Sequence, residues 1–111
     1  EGKVKAINNV VIDTGAAETI ITPDVVEEIG ILASINDEIS SYYGVGGSLH
    51  NSFSKQVEQI SIGDLIIEDF KIDFGDIDPS GEINGLLGLD ILMKLGAIID
   101  LNSLTLTVDT K

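Results

Sequence analysis

The chain has 111 residues and 43% apolar content, which suits one hydrophobic core and a single domain spanning residues 1–111. Nineteen acidic residues against six lysines and no arginine leave a formal charge of −13, which argues against the basic footprint that nucleic acid or an anionic membrane requires. The absence of cysteine removes disulfides and thiolate metal centres, and no apolar run reaches the ~18–20 residues that span a bilayer.

Short apolar runs separated by turn residues predict a mostly β chain. Val4–Ala6 and Val10–Ile12 are the first strand candidates, with Asn8-Asn9 interrupting them. The second of these is continuous enough to be buried on both faces. Thr19–Ile21 follows as another short strand. Thr22-Pro23-Asp24 then predicts a helix start, with a capping hydroxyl, a proline and a first-turn acid; Gly30 stops the helix after about two turns. Ile39–Val45 and Leu49–Ile62, broken by Gly44, Gly46 and Gly47, read as two arms of a long hairpin. Gly63-Asp64 is a tight turn. Beyond it Ile66, Glu68, Phe70, Ile72 and Phe74 should share one strand face, with Asp69, Lys71 and Asp73 on the other. Asp78-Pro79-Ser80-Gly81 is a turn cluster. A short helix is predicted over Leu89–Leu95, with Asp90 early, Lys94 late and Gly96 as its stop. Ala97–Leu101 and Leu104–Val108 flank Asn102-Ser103 as a terminal hairpin. The sum is a small β-barrel or sandwich.

Three of these segments carry chemistry when taken together. Asp13-Thr14-Gly15-Ala16 places one carboxylate at the end of an apolar strand, where a strand-ending turn aspartate is the plain alternative. Gly44-Val45-Gly46-Gly47 makes a glycine-rich hairpin tip, and Gly85-Leu86-Leu87-Gly88-Leu89-Asp90-Ile91-Leu92 joins an apolar run to a helix. In this order and spacing the segments resemble the retropepsin-type aspartic proteases, and the stretch from Gly88 to Leu101 is similar to the protease-like domain of the DNA-damage-inducible shuttle proteins and bacterial relatives. The resemblance covers about residues 4–108. It implies a closed, mostly antiparallel β-barrel with one or two short helices. It also assigns Asp13 as the catalytic acid, Thr14, Gly15 and Ala16 as its support, and Gly44, Val45, Gly46 and Gly47 as the flap over substrate. Leu87 and Gly88 belong to the second signature.

Only one Asp-Thr-Gly occurs, since Asp78 is followed by proline and Asp109-Thr110 lacks a glycine. Two close carboxyl groups that share a proton can activate water and polarise an amide carbonyl, so the chemistry needs two copies of the chain. The expected function is therefore peptide-bond hydrolysis by a homodimer, with neither metal nor organic cofactor and with a protein or peptide substrate. The same fold retained for peptide binding or dimerisation is the alternative. By the resemblance, Thr14 hydrogen-bonds across the two-fold axis. Ala16 stands where pepsin-like relatives carry a hydroxyl that lowers the pKa of the pair, which predicts activity at weakly acidic to neutral pH. Ala17 and Leu89 replace an acid and an arginine that pair in retroviral members; both partners are lost together, so no charge is orphaned.

Other residues read more plainly. Tyr42 and Tyr43 are strand aromatics that could reach substrate, and His50 is a solvent-facing hairpin residue. Asp90 complements the start of its helix. The remaining acids form no calcium-loop pattern and make a solvated surface with a weak preference for basic substrates. The start at Glu1 points to a piece of something longer, cytoplasmic or a soluble domain of a larger protein.

Overall fold

The computed structural model describes residues 2–43, 49–78 and 80–108. Among these residues there are eight strands: β1 (Val10–Ile12), β2 (Ile20–Ile21), β3 (Glu38–Tyr43), β4 (Leu49–Ile62), β5 (Leu65–Phe74), β6 (Gly85–Leu87), β7 (Ala97–Asp100) and β8 (Thr105–Val108). The α-helix α1 (Leu89–Leu95) separates β6 from β7.

The first six strands form one sheet in the order β1-β6-β2-β5-β4-β3. Its backbone is the long β4–β5 hairpin, turned at Gly63 with φ 58° and paired from Ile62–Leu65 down to Phe53–Phe74. β3 extends β4 on its far side, from Glu38–Ser54 to Tyr43–Leu49. β2 joins the other edge of β5 in parallel, through Ile20–Asp73 and Ile21–Phe74. β6 then enters between β2 and β1, antiparallel to the first and parallel to the second. The returning chain thus separates two strands that are neighbours in sequence. Parallel pairing of this kind requires a long crossover, which everything between β1 and β6 supplies.

One feature of the expected barrel is corrected. The pairing is mostly antiparallel as expected, with two parallel pairs, but among the described residues the sheet does not close. Beyond Ser54, β4 has β5 as its one neighbour, and β1 is the opposite edge. Closure would need a strand between these edges. Residues Val4–Ala6, expected as a strand, form no ladder, and Asn9 turns the chain with φ 60°. Lys3–Ile7 and Lys55–Ser61 instead line a shared cleft of about 1250 Å³. The edge position of β1 also overturns its expected burial, because Val11 and Ile12 are 42% and 44% exposed.

The core lies in two clusters. Ile21, Val26, Phe53, Ile72 and Phe74 form one, with the Phe53 and Phe74 rings stacked at 5.4 Å. Ile67, Leu87, Ile91 and Leu92 form the other. β5 serves both by changing its buried face. Phe70, Ile72 and Phe74 point inward as the alternation predicts, but Ile66 and Glu68 are exposed and Ile67 is buried. The change falls at Asp69, whose φ is 53°.

The helix expected from Thr22 to Gly30 is two short 3-10 turns, Pro23–Val25 and Glu27–Ile29. Thr22 has the extended backbone of a cap but makes no side-chain capping bond. A β-branched pair and three acids in so short a segment leave little to propagate an α-helix. Gly30 does end the segment in the left-handed conformation. Helix α1 matches its expected bounds, and the Gly96 N–H closes it onto the Leu92 and Met93 carbonyls.

Candidate active site

Asp13 directly follows β1, and its N–H donates to the Leu87 carbonyl at 3.0 Å, continuing the β1–β6 pairing. The chain then reverses. Asp13 Oδ1 accepts the Gly15 N–H at 2.9 Å, and the Asp13 carbonyl accepts the Ala16 N–H at 3.2 Å. A side chain at Gly15 would place its Cβ 3.2 Å from Asp13 Oδ1, so glycine keeps this carboxylate uncrowded. Asp13 is half-buried, and Thr14 and Gly15 are exposed. Among the described residues Asp13 Oδ2 has no protein hydrogen-bond partner.

The turn is locked from behind by the start of α1. Leu89 and Asp90 donate their N–H groups to the carbonyls of Ala16 and Ala17, at 2.8 and 3.1 Å. Asp90 Oδ1 accepts three bonds: the Thr19 N–H at 3.0 Å, the Thr19 hydroxyl at 2.7 Å and the Ile91 N–H at 2.7 Å. The Thr19 hydroxyl oxygen in turn accepts the Gly88 N–H at 2.9 Å. Thr19 is 2% exposed, so this network is shielded from water and its loss would leave several polar groups unpaired. Gly88 packs directly on the backbone of Ala16 and Glu18.

The expected site residues divide accordingly. Asp13, Thr14, Gly15, Ala16, Leu87 and Gly88 come together at one end of β1 and β6. Gly44, Val45, Gly46 and Gly47, expected as the flap, lie outside the described residues. Thr19 was assigned only to a strand, and Asp90 only to its own helix end. Asp90 does contact the helix start, but its larger task is to tie α1 to the chain leaving Asp13. A carboxylate isolated within the apolar run Leu89-Asp90-Ile91-Leu92 was the available signal for Asp90, and Thr19, next to Glu18, carried none.

Acids elsewhere are occupied locally. Asp78 accepts the Ser80 hydroxyl and the N–H groups of Ser80, Glu82 and Ile83, and these bonds, the Ser80 hydroxyl foremost, hold its carboxyl below the ordinary range. Asp37 caps Ser34 and pairs with Lys55. Among the described residues no three His, Asp or Glu side chains converge as a metal site would require.

Glu18 differs. The nearby Asp73 carboxylate raises its pKa above the ordinary value of 4.5; partial burial, a hydrogen bond with Asp73 and the charge of Asp90 add to this, and Lys71 opposes it. Asp73 also accepts the Ser54 hydroxyl at 2.6 Å, and Lys71 pairs with Glu38. A raised pKa in the folded state contributes stability at low pH that is lost as pH rises through it. Glu18→Gln should therefore match the wild type near pH 4 and become more stable as the solution approaches neutrality. Because Glu18 is exposed, screening keeps the gap under about 1 kcal/mol. Urea unfolding at both pH values measures it, and a gap that opens towards acid would contradict this account.

No curated protein matches the sequence. A family profile described as "Aspartyl protease" matches residues 2–91. Among solved structures, the retroviral protease-like domain of Ddi1 from Leishmania major aligns with a TM-score of 0.64 at 20% identity, covering 92% of this chain and 78% of that one. A retropepsin-like aspartic protease from Rickettsia conorii aligns with a TM-score of 0.58 at 22% identity, covering 80% and 71%. The profile match over most of the length places this chain in the aspartyl protease family, and the threaded sheet with the Asp-Thr-Gly turn backed by α1 has the retropepsin-like fold of those solved structures.

Proposed function

We propose that this protein is an aspartic endopeptidase that works as a homodimer, with the Asp13 carboxylates of two copies meeting across the two-fold axis. The supporting observation is the Asp13 turn. Its carboxylate is oriented by the Gly15 N–H through one oxygen and braced from behind by Thr19, Gly88 and Asp90. One chain supplies one such carboxylate. The reaction needs a base and an acid at the same carbonyl, so a second copy completes it.

In the assembled site one proton is shared between the two Asp13 side chains. The ionised carboxylate takes a proton from a water molecule as that water attacks the scissile carbonyl carbon. The protonated one hydrogen-bonds the carbonyl oxygen, where negative charge develops. Collapse of the tetrahedral intermediate breaks the carbon–nitrogen bond as a proton passes to the amine. The substrate lies extended, adding to strand edges through main-chain hydrogen bonds. Thr14 of each copy hydrogen-bonds across the axis and steadies the paired turns.

Ala16 offers no hydroxyl to the carboxylate pair, so hydrolysis should be fastest at weakly acidic to neutral pH. Incubating the purified protein with a peptide library across the pH range tests both reading and profile. Cleavage blocked by an aspartic-protease transition-state analogue is the expected result. An optimum near pH 2–3 contradicts the role given to Ala16. Analogue binding without cleavage would instead identify a peptide-binding module on the same fold.

A further inference from the structure

We infer that Glu18 and Asp73 form a proton-dependent clasp on the chain leaving the Asp13 turn, a control of that site which rests on Asp13 being the catalytic acid. Two carboxyl groups can hydrogen-bond each other only while one of them carries a proton. Glu18 and Asp73 are in this contact. Asp73 is the fixed half. Its Oδ1 accepts the hydroxyl of Ser54, a buried residue of β4, at 2.6 Å. Its N–H reaches the Thr19 carbonyl at 3.4 Å, beside the pairing of β2 with β5. Glu18 is the half that can move, because it is exposed and belongs to no strand. It directly precedes Thr19, whose N–H and hydroxyl both donate to Asp90. The clasp therefore sits one residue from the lock that ties α1 to the turn.

The surrounding charges set the direction of the effect. Asp73 on β5 and Asp90 on α1 both disfavour a charge on Glu18. Lys71 on β5 favours it, but Lys71 is paired with Glu38 on β3; Ser54 on β4 is neutral. When Glu18 loses its proton, the bond to Asp73 is replaced by repulsion from Asp73 and Asp90 together. That push falls on the backbone next to Thr19, so the Thr19–Asp90 lock opens more readily. The clasp is closed in mild acid and released as the solution approaches neutrality.

The test is amide hydrogen exchange at Thr19, followed by NMR from pH 4 to pH 7 and corrected for the intrinsic exchange rate, in the wild type and Glu18→Gln. The glutamine amide can donate to Asp73 at every pH, so this variant keeps the clasp closed. Thr19 protection in the wild type should fall about three-fold towards neutrality, the scale of an exposed charge contact, and should stay constant in Glu18→Gln. A side-chain carboxyl NMR titration of Asp73→Asn supplies the second measurement. Asparagine can still accept the Ser54 hydroxyl and removes the neighbouring charge, so the Glu18 titration should move down towards its ordinary value. No fall in the wild type, or an equal fall in Glu18→Gln, would overturn the clasp. So would a Glu18 titration that Asp73→Asn leaves unmoved. Neither measurement reads cleavage, so a protein inactive on every peptide would end the protease reading and leave the clasp standing.

Discussion

Asp13→Asn should lower kcat/KM for peptide cleavage by at least about a thousand-fold while leaving thermal unfolding unchanged. The amide oxygen of asparagine can still accept the Gly15 N–H that shapes the turn, and Asp13 is only half-buried, so folding loses little. Proton transfer is lost in both halves of the site at once, because one substitution enters twice. Kinetics on the best peptide at the optimum pH, paired with melting curves, separate the two effects. Activity within about ten-fold of wild type would assign the proton to another group.

The second large effect is expected at Gly88. A Cβ there would lie 2.6 Å from the Glu18 carbonyl carbon, 2.7 Å from its oxygen and 2.9 Å from the Ala16 carbonyl oxygen. All three are backbone atoms: the Leu89 N–H holds the Ala16 carbonyl, and the Glu18 carbonyl sits between the Ala17 carbonyl and the Thr19 N–H, both tied to Asp90, so none can swing aside. Gly88→Ala should therefore destabilise the fold by about 3 kcal/mol or more, at the upper end of overpacking effects. The displaced segment is the one that leaves the Asp13 turn, so the surviving folded fraction should cleave slowly as well. Urea unfolding gives the first quantity and activity per folded molecule the second. A variant with wild-type stability would mean that the contact opens easily, and the bracing role of α1 would fail with it.

Much of this arrangement was legible in the sequence because local chemistry governs it. The Gly63-Asp64 turn, the Leu89–Leu95 helix with its Gly96 stop and the Asp13-Thr14-Gly15 reversal depend on neighbours in the chain. What was not legible depends on distant segments. Val10–Ile12 is apolar throughout, which predicts burial on both faces, but β6 takes the inner place and leaves it at an edge. The alternation along β5 is regular in sequence, whereas the structure changes face at Asp69 to serve two cores. The Thr22–Gly30 segment has the punctuation of a helix but β-branched residues where propagation was needed. Thr19 and Asp90 looked unrelated because nothing local links residues 71 apart.

That separation also orders events during folding. The Asp13 turn finds its brace only when residues near 90 have arrived and threaded between two strands already present in sequence. Closing so long a loop costs entropy before any contact rewards it, and topologies dominated by such contacts fold slowly. On a ribosome Asp13 emerges well before the segment near residue 90 that braces it. A nascent chain that ends short of that segment therefore carries the Asp-Thr-Gly letters without the formed turn.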